Sequence, residues 1–261
     1  MGSCSVDCSK IQKRRNRGMS TMIRTEGLKK VYRVGKEKVT ALAGIDLEIQ
    51  QGEICCIVGQ SGSGKSTLLN MLAGLEKPTR GTVVIAGKKI TAMDEDRLAL
   101  FRQETLGFIF QSFYLLPQLT AVENAALPLM FSGMDKSQRE KRALLELKVM
   151  DLVDRAAHRP SEMSGGQQQR VGIARAFVTR PKVIFADEPT GNLDTHTTAQ
   201  VMEAMLNRVS KYGITLVMVT HEPSLAACGD RIVTLRDGKI INNEYSKKSV
   251  EERKWSLNEK A

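Results

Sequence analysis

The chain has 261 residues, 41% of them apolar and 26% charged, and a formal net charge of +10. That is enough for one sizeable α/β core with room for an inserted subdomain. Its apolar stretches are far shorter than the 18 or more residues that span a bilayer, and the start lacks the apolar core of a secretory signal. If the function involves a membrane, another chain has to cross it.

Residues 1–21 carry Lys10, Lys13, Arg14, Arg15 and Arg17 against one acid, Asp7. Polar and aperiodic, they are expected to form a disordered basic arm. Met19 and Met22 are alternative starts. The opening Met1-Gly2-Ser3-Cys4-Ser5-Val6 departs from the myristoylation pattern at Val6. Cys4 and Cys8 leave palmitoylation or metal binding open. Cys55, Cys56 and Cys228 have no histidine at ligand spacing and read as reduced thiols. A basic surface suits nucleic acid, an anionic leaflet, or simple solubility.

From 22 to 245 the pattern is that of a folded domain. Two strand-like stretches fall within 23–49. In the second, Ile45, Leu47 and Ile49 alternate with Asp46, Glu48 and Gln50, as in a half-buried antiparallel strand. Residues 53–58 are an apolar run entering a Gly-rich loop, a buried parallel strand feeding a turn. Residues 65–73 group Leu68, Leu69 and Leu72 on one helical face, and 82–86 is the next strand. Residues 94–104 and 135–157 are charged and helix-rich, with 106–110 a strand between them. Leu144, Leu145, Leu147 and Val149 are patterned for an amphipathic helix. A helix is expected over 164–178, strands at 183–187, 215–220 and 231–235, and a helix over 198–212. Such alternation predicts a parallel sheet with helices on both faces. The helical middle, 95–178, is expected to be a subdomain of its own, and the tail, 246–261, is charged and poor in core residues.

Three motifs carry chemistry. Gly59-Gln60-Ser61-Gly62-Ser63-Gly64-Lys65-Ser66 matches G-x-x-x-x-G-K-[ST], the phosphate-binding loop. The glycines let the backbone curl so that N–H groups converge on phosphate oxygens. The nucleotide site is therefore assigned to Gly59, Ser61, Gly62, Ser63, Gly64, Lys65, Ser66 and Thr67. Lys65 is expected to reach the β- and γ-phosphates, and the Ser66 hydroxyl to ligate Mg²⁺. The helix that follows points its positive end at the anion. The run 183–187 ends in the carboxylates Asp187 and Glu188. An acid at the C-terminal end of a buried strand stands where ligands bind in open α/β sheets. Asp187 is expected to hold Mg²⁺ and Glu188 to act as general base on the attacking water. Alone, the pair would read as a solvated strand end. Ser164-Gly165-Gly166-Gln167-Gln168 supplies the third motif: a serine-capped helix start whose glycines leave N–H groups open to an anion.

Residues 162–170 resemble the signature of the ABC ATPases, usually Leu-Ser-Gly-Gly-Gln followed by a basic residue. Arg170 is in place, and Met163 stands where leucine is usual, an apolar residue of similar volume. The resemblance covers 23–242 and implies a P-loop NTPase of the ABC ATPase fold: a parallel-sheet core, an N-terminal antiparallel β subdomain and an inserted helical subdomain. It implies ATP and Mg²⁺ as cofactors. Gln111 looks like the glutamine that touches Mg²⁺ and the nucleophilic water. Asn192-Leu193-Asp194 resembles the D-loop, with Asp194 its acid. His221 resembles the switch histidine that contacts the γ-phosphate. Tyr32 looks like the aromatic residue that stacks on adenine. Alone, His221 and Tyr32 would read as an ordinary strand-end histidine and a half-buried strand tyrosine. In this family the signature of one subunit closes over phosphates held by the other. The resemblance thus implies a two-fold homodimer with two ATP molecules at its interface.

Residues 106–117, 119–124, 127–129, 187–194 and 220–223 look like the ATPases of lipoprotein release, macrolide export and antimicrobial-peptide resistance. These pair with FtsX-like permeases, so the implied partner is an FtsX-like transmembrane permease. The dock would be Phe113 to Leu116 with the helix after Ala121, and the location the cytoplasmic face of the cell membrane. Packing of the helical subdomain alone is an equal reading of those apolar residues. A regulatory ATPase of a wall-hydrolase complex would share the same chemistry. Translation-type relatives carry two cassettes and repair-type relatives long coiled coils. This chain shows neither, and no nucleic acid partner is expected.

Overall fold

The computed structural model describes residues 20–191 and 193–246. The basic arm and charged tail lie outside the described residues except at 20, 21 and 246, as do Cys4, Cys8 and Asn192. Thr21, expected in the arm, instead opens β1 (Thr21–Val34), where it pairs with Gln50 of β2 (Glu37–Gln50). Ile45, Leu47 and Ile49 are buried and Asp46 and Glu48 exposed, as the alternation requires. β4 (Arg80–Ile85) and β5 (Lys88–Lys89) complete a four-stranded sheet in the order β2-β1-β4-β5, antiparallel throughout.

The second sheet gathers the apolar runs. β3 (Ile54–Val58), β6 (Leu106–Ile109), β7 (Val183–Asp187), β8 (Thr215–Thr220) and β9 (Arg231–Arg236) lie parallel, in the order β9-β3-β8-β7-β6. β10 (Lys239–Tyr245) adds an antiparallel edge beside β9. All six residues of β8 are buried, as expected of a strand covered on both faces. Alternation then sorts the side chains into two cores. Cys55, Ile57, Val183, Phe185, Val217 and Val219 join the antiparallel sheet and helices α1 (Lys65–Leu72) and α2 (Glu95–Thr105). Cys56, Ile184, Ala186, Leu216 and Met218 face α3 (Ala121–Phe131), α4 (Lys136–Val149), α5 (Gly165–Phe177) and α6 (Thr195–Tyr212).

This sorting corrects the expectation of one helical subdomain over 95–178. Leu98 and Phe101 of α2 enter the antiparallel-sheet core, and β6 is a strand of the parallel sheet. Only the helices from Ala121 onward lie on the opposite face. Helix boundaries moved for local reasons. Within the helix-rich stretch 135–157, the α-helix stops at Val149, because Asp151 turns to φ +55°, and a 3₁₀ turn, Val153–Arg155, follows. α6 starts one turn earlier than expected, at Thr195. Asp194 caps it, and the weak helix formers Thr195, Thr197 and Thr198 hid that turn. Cys55, Cys56 and Cys228 are buried thiols. Burial pushes the Cys55 thiol up to about 12, which keeps it protonated and inert.

Candidate active site

β3 delivers the chain to the phosphate loop and α1 takes it away. Gly62 and Gly64 sit at φ +77° and +99°. A Cβ at Gly64 would lie 2.5 Å from the Ala41 carbonyl oxygen, so both conformation and space demand glycine there. Lys65 is almost buried, and its Nζ donates to the carbonyl oxygens of Gly59 (2.8 Å) and Gln60 (2.9 Å). The ammonium is thus folded along the loop itself. No side chain caps α1 and no acid occupies its first turn, so its N–H groups are left for an anion.

Asp187 ends β7 beside α1, and its carboxylate accepts a hydrogen bond from the Ser66 hydroxyl. Burial raises the Asp187 pKa, the neighbouring Glu188 charge adds to this, and Ser66 and Lys65 oppose it. Glu188 adopts φ +45°, rare for a side chain of its size. Its N–H donates to Val219 O of β8 (3.0 Å), and its carboxylate Oε1 lies 2.7 Å from His221 Nδ1. His221 follows β8 directly, with its side chain 70% exposed against 15% for Glu188. The sheet register therefore brings the two strand ends, and with them the acid and the histidine, into contact.

The Asp187 shift carries a stability consequence. A carboxyl whose pKa folding raises is one whose ionised form the fold disfavours. The apo protein therefore loses stability as pH rises through the carboxylate range, and the full penalty applies at pH 7. Asp187→Asn keeps an acceptor for Ser66 while removing the buried charge. It is expected to raise the apo melting temperature by on the order of a few degrees at pH 7, with no gain near pH 3, while abolishing ATP turnover. Differential scanning fluorimetry across pH beside a phosphate-release assay checks both halves. A lowered melting temperature at pH 7 would refute the electrostatic account.

Gln111 follows β6 and reaches the turn after Glu188. A Cβ on Gly191 would stand 3.0 Å from Gln111 Nε2, so the bare backbone there lets the amide lie against the turn. The turn itself closes through Gly191 N–H to Glu188 O (3.1 Å). Beyond Gln111, Phe113 and Tyr114 both adopt positive φ, +58° and +46°. The Arg175 guanidinium of α5 donates to both their carbonyl oxygens at 2.6 Å, holding the strained pair. Asn124, fully buried, accepts from Leu116 N–H and donates to the carbonyls of Leu116, Leu119 and Thr120. It stitches this segment to α3.

The signature forms the start of α5. Ser164 and Gln167 cap it reciprocally, Gln167 N–H to Ser164 Oγ (3.3 Å) and Ser164 N–H to Gln167 Oε1 (3.0 Å). A Cβ on Gly166 would meet Thr197 Cγ2 at 2.7 Å. Asp194 caps α6 through Thr197 N–H (2.9 Å) and accepts from Thr197 Oγ1 (2.6 Å), which lowers its carboxyl pKa. The groups nearest Gly165 and Gly166 come from Phe113, Leu193 and Thr197, none of them in the phosphate loop.

Tyr32 lies in β1 beside the loop's exit. Its hydroxyl donates to Glu76 Oε2 (2.7 Å) and also bonds with Thr67. Lys30 Nζ sits 5.1 Å from its ring centroid and 2.6 Å from Glu76 Oε1. Burial, then the Glu76 bond, raises the Tyr32 pKa. Thus Ser66, Asp187, Glu188 and His221 are linked along one edge, with Lys65 near enough for its charge to act on Asp187 and Gln111 on the Glu188 turn. Ser164, Gly165, Gly166, Gln167 and Asp194 form a second group. Gln169, Arg175 and Asn124 were not anticipated. Their signal was a polar residue on an otherwise apolar stripe: Gln169 heads Ile173, Ala176 and Phe177 on the buried face of α5.

Residues 42–191 match the family model described as ABC transporter. The chain is 46% identical over 231 residues to the ABC transporter ATP-binding protein YknY of Bacillus subtilis (strain 168), covering 88% of this chain and 100% of that protein. It is 45% identical over 225 residues to the macrolide export ATP-binding/permease protein MacB of Shigella flexneri, covering 86% of this chain and 35% of MacB. It therefore spans about a third of that relative's length. Among solved structures, the dimeric post-hydrolysis state of the ATP-binding cassette MJ0796 bound to ADP and Pi aligns with TM-score 0.82 at 42% identity. That alignment covers 87% of this chain and 100% of the MJ0796 chain. With phosphate loop, paired carboxylates, histidine and capped signature in these positions, the chain belongs to the ABC transporter family, as an ATP-binding, ATP-hydrolysing cassette.

Proposed function

We propose that the chain hydrolyses Mg-ATP as a two-fold homodimer at the cytoplasmic face of the membrane and drives an FtsX-like permease in export. The cargo class would be lipoprotein, peptide or drug. One observation carries the reading. The groups nearest the signature glycines are Phe113, Leu193 and Thr197, none of them in the phosphate loop, which suits a signature that serves the nucleotide of a second copy. The dimeric MJ0796 structure supports such an arrangement.

Asp187 and Ser66 present a carboxylate and a hydroxyl, the hard oxygen donors that Mg²⁺ takes, and Gln111, lying against Gly191 of the Glu188 turn, would add an amide oxygen. Among the described residues no group of three or more His, Cys, Asp and Glu side chains could hold a metal. That suits an ion held by one or two protein oxygens together with phosphates and water. Bound there, Mg²⁺ would neutralise phosphate charge. Glu188 takes a proton from the attacking water as the water oxygen bonds to the γ-phosphorus and the bond to the ADP oxygen breaks. His221 fixes the Glu188 carboxylate and reaches out toward the γ-phosphate, and Lys65 compensates the charge on the β- and γ-oxygens.

Support for the partner comes from relatives and from the surface. MacB is named as a joined ATP-binding/permease protein, whereas YknY, matched over its whole length, is named for ATP binding. No helix among the described residues is long and apolar enough to cross a membrane. Tyr114 and Leu116 are exposed at one end of α3, Met130 and Phe131 at the other. Phe113 and Leu115 are half-buried, so within that span Tyr114 and Leu116 would offer most of the contact. A helix of the permease would lie in this region.

The test is copurification of tagged Glu188→Gln from membranes solubilised with Mg-ATP. A stoichiometric polytopic membrane protein is expected, lost on Tyr114→Glu plus Phe131→Glu while nucleotide binding persists. Recovery of ribosomes or nucleic acid instead, or no membrane partner, would overturn the reading.

A further inference from the structure

We infer that Gln169 is a positioning residue for Glu188, acting on it from the signature helix. The inference rests on Glu188 as the base proposed above. Gln169 is 1% exposed on a buried stripe of α5, where a polar side chain is tolerated only if it is bonded. Its Nε2 donates to the carbonyl oxygen of Pro189, the residue directly after Glu188.

That position matters because of what Glu188 is made to do. A residue before proline is steered toward extended backbone, yet Glu188 sits at φ +45°. Such a conformation persists only where the surroundings over-determine it. On the N-terminal side, Glu188 N–H is fixed to Val219 O of β8. On the C-terminal side, the turn is held by its own Gly191 N–H to Glu188 O bond, and among the described residues the side chain bonded to its Pro189 carbonyl is Gln169. Gln169 stands two residues beyond Gln167 on the same helix, so the capped signature and the Glu188 turn are fastened to one rigid element. Among the described residues, Gln169 Oε1 and the buried Thr190 Oγ1 find no hydrogen-bond partner. Among the described residues, the Gln169 bond is thus the side-chain link from α5 to the turn.

Two substitutions test this. Gln169→Met keeps length and an unbranched stem but removes the donor. It is expected to lower kcat about 10- to 100-fold, as small misplacements of catalytic groups do, with KM for ATP and melting temperature essentially unchanged. In a Glu188→Gln background it is expected to lower single-turnover hydrolysis less than about twofold, because effects routed through one residue do not multiply. Gln169→Glu can donate to Pro189 O only when protonated. Its activity relative to the parent protein is expected to rise as pH falls from 8 to 6, which a purely structural role would not produce. A kcat loss below threefold, an equal loss in both backgrounds, or a pH-independent ratio for Gln169→Glu would overturn the inference. Should Gln169→Met not fold, the Gln169→Glu ratio alone decides. Full activity of Glu188→Gln by itself would instead remove the base assignment, a separate failure.

Discussion

Glu188→Gln is expected to cut steady-state ATP turnover by about 10²- to 10⁴-fold, the range that a general base supplies, while nucleotide binding is kept or improved. The carboxylate lies 2.7 Å from His221 Nδ1 and is held in a strained turn, pinned through its N–H to β8. A glutamine has the same shape and can keep the contact with His221, but it cannot take a proton from water. It also removes a negative charge beside Asp187, whose own carboxyl is already raised by burial and by that neighbour. An incoming polyphosphate anion thus meets less repulsion. If hydrolysis is what reopens the dimer, the variant accumulates as an ATP-bound dimer, since any ligand that binds only the closed form stabilises it by mass action. Phosphate release and light scattering after size exclusion, with and without Mg-ATP, read the two effects. Near-parental turnover would remove Glu188 from the role of base, and a protein that stays monomeric at saturating Mg-ATP would remove the shared-site arrangement.

Much of this site was legible because its chemistry is contiguous. The loop from Gly59 to Ser66 compresses turn, phosphate cradle and helix start into eight residues, and Asp187 and Glu188 stand where a buried strand must end. The strands declared themselves by period two and by unbroken apolar runs, which is why the sheet was readable. Contacts across the fold were not legible. Arg175 holds carbonyls 61 and 62 residues away, and Gln169 holds one 20 residues away. Nothing local to α5 names those partners. The division of 95–178 failed for the same reason. The charged helices α2 and α4 look alike in composition, and only tertiary packing puts Leu98 and Phe101 with the antiparallel sheet and Leu147 with the opposite core.

Lys65→Ala is expected to weaken ATP binding by about 10- to 100-fold, the loss of one strong charge-assisted bond, and to depress turnover further. The reasoning turns on where the ammonium sits. Its bonds to Gly59 O and Gln60 O show a cation lodged along the loop, with its charge solvated by backbone carbonyls rather than by a carboxylate. A phosphate oxygen offers that charge a far better partner, so affinity and charge compensation in the transition state both depend on it. The same bonds raise a competing possibility, that the lysine merely shapes the loop. Loop geometry, however, is already enforced elsewhere: Gly64 is packed on Ala41 O, and Gly238 N–H donates to Ser63 O at 3.1 Å. Because those constraints stand without the lysine, truncation is expected to leave the apo melting temperature within about a degree or two. The upward shift that Mg-ATP normally produces should nonetheless be erased, because that shift depends on the ratio of ligand to Kd. Thermal melts with and without Mg-ATP separate the two roles. A large fall in the apo melting temperature would make Lys65 a builder of the loop, and a preserved ATP-induced shift would mean that the phosphates find their positive charge elsewhere.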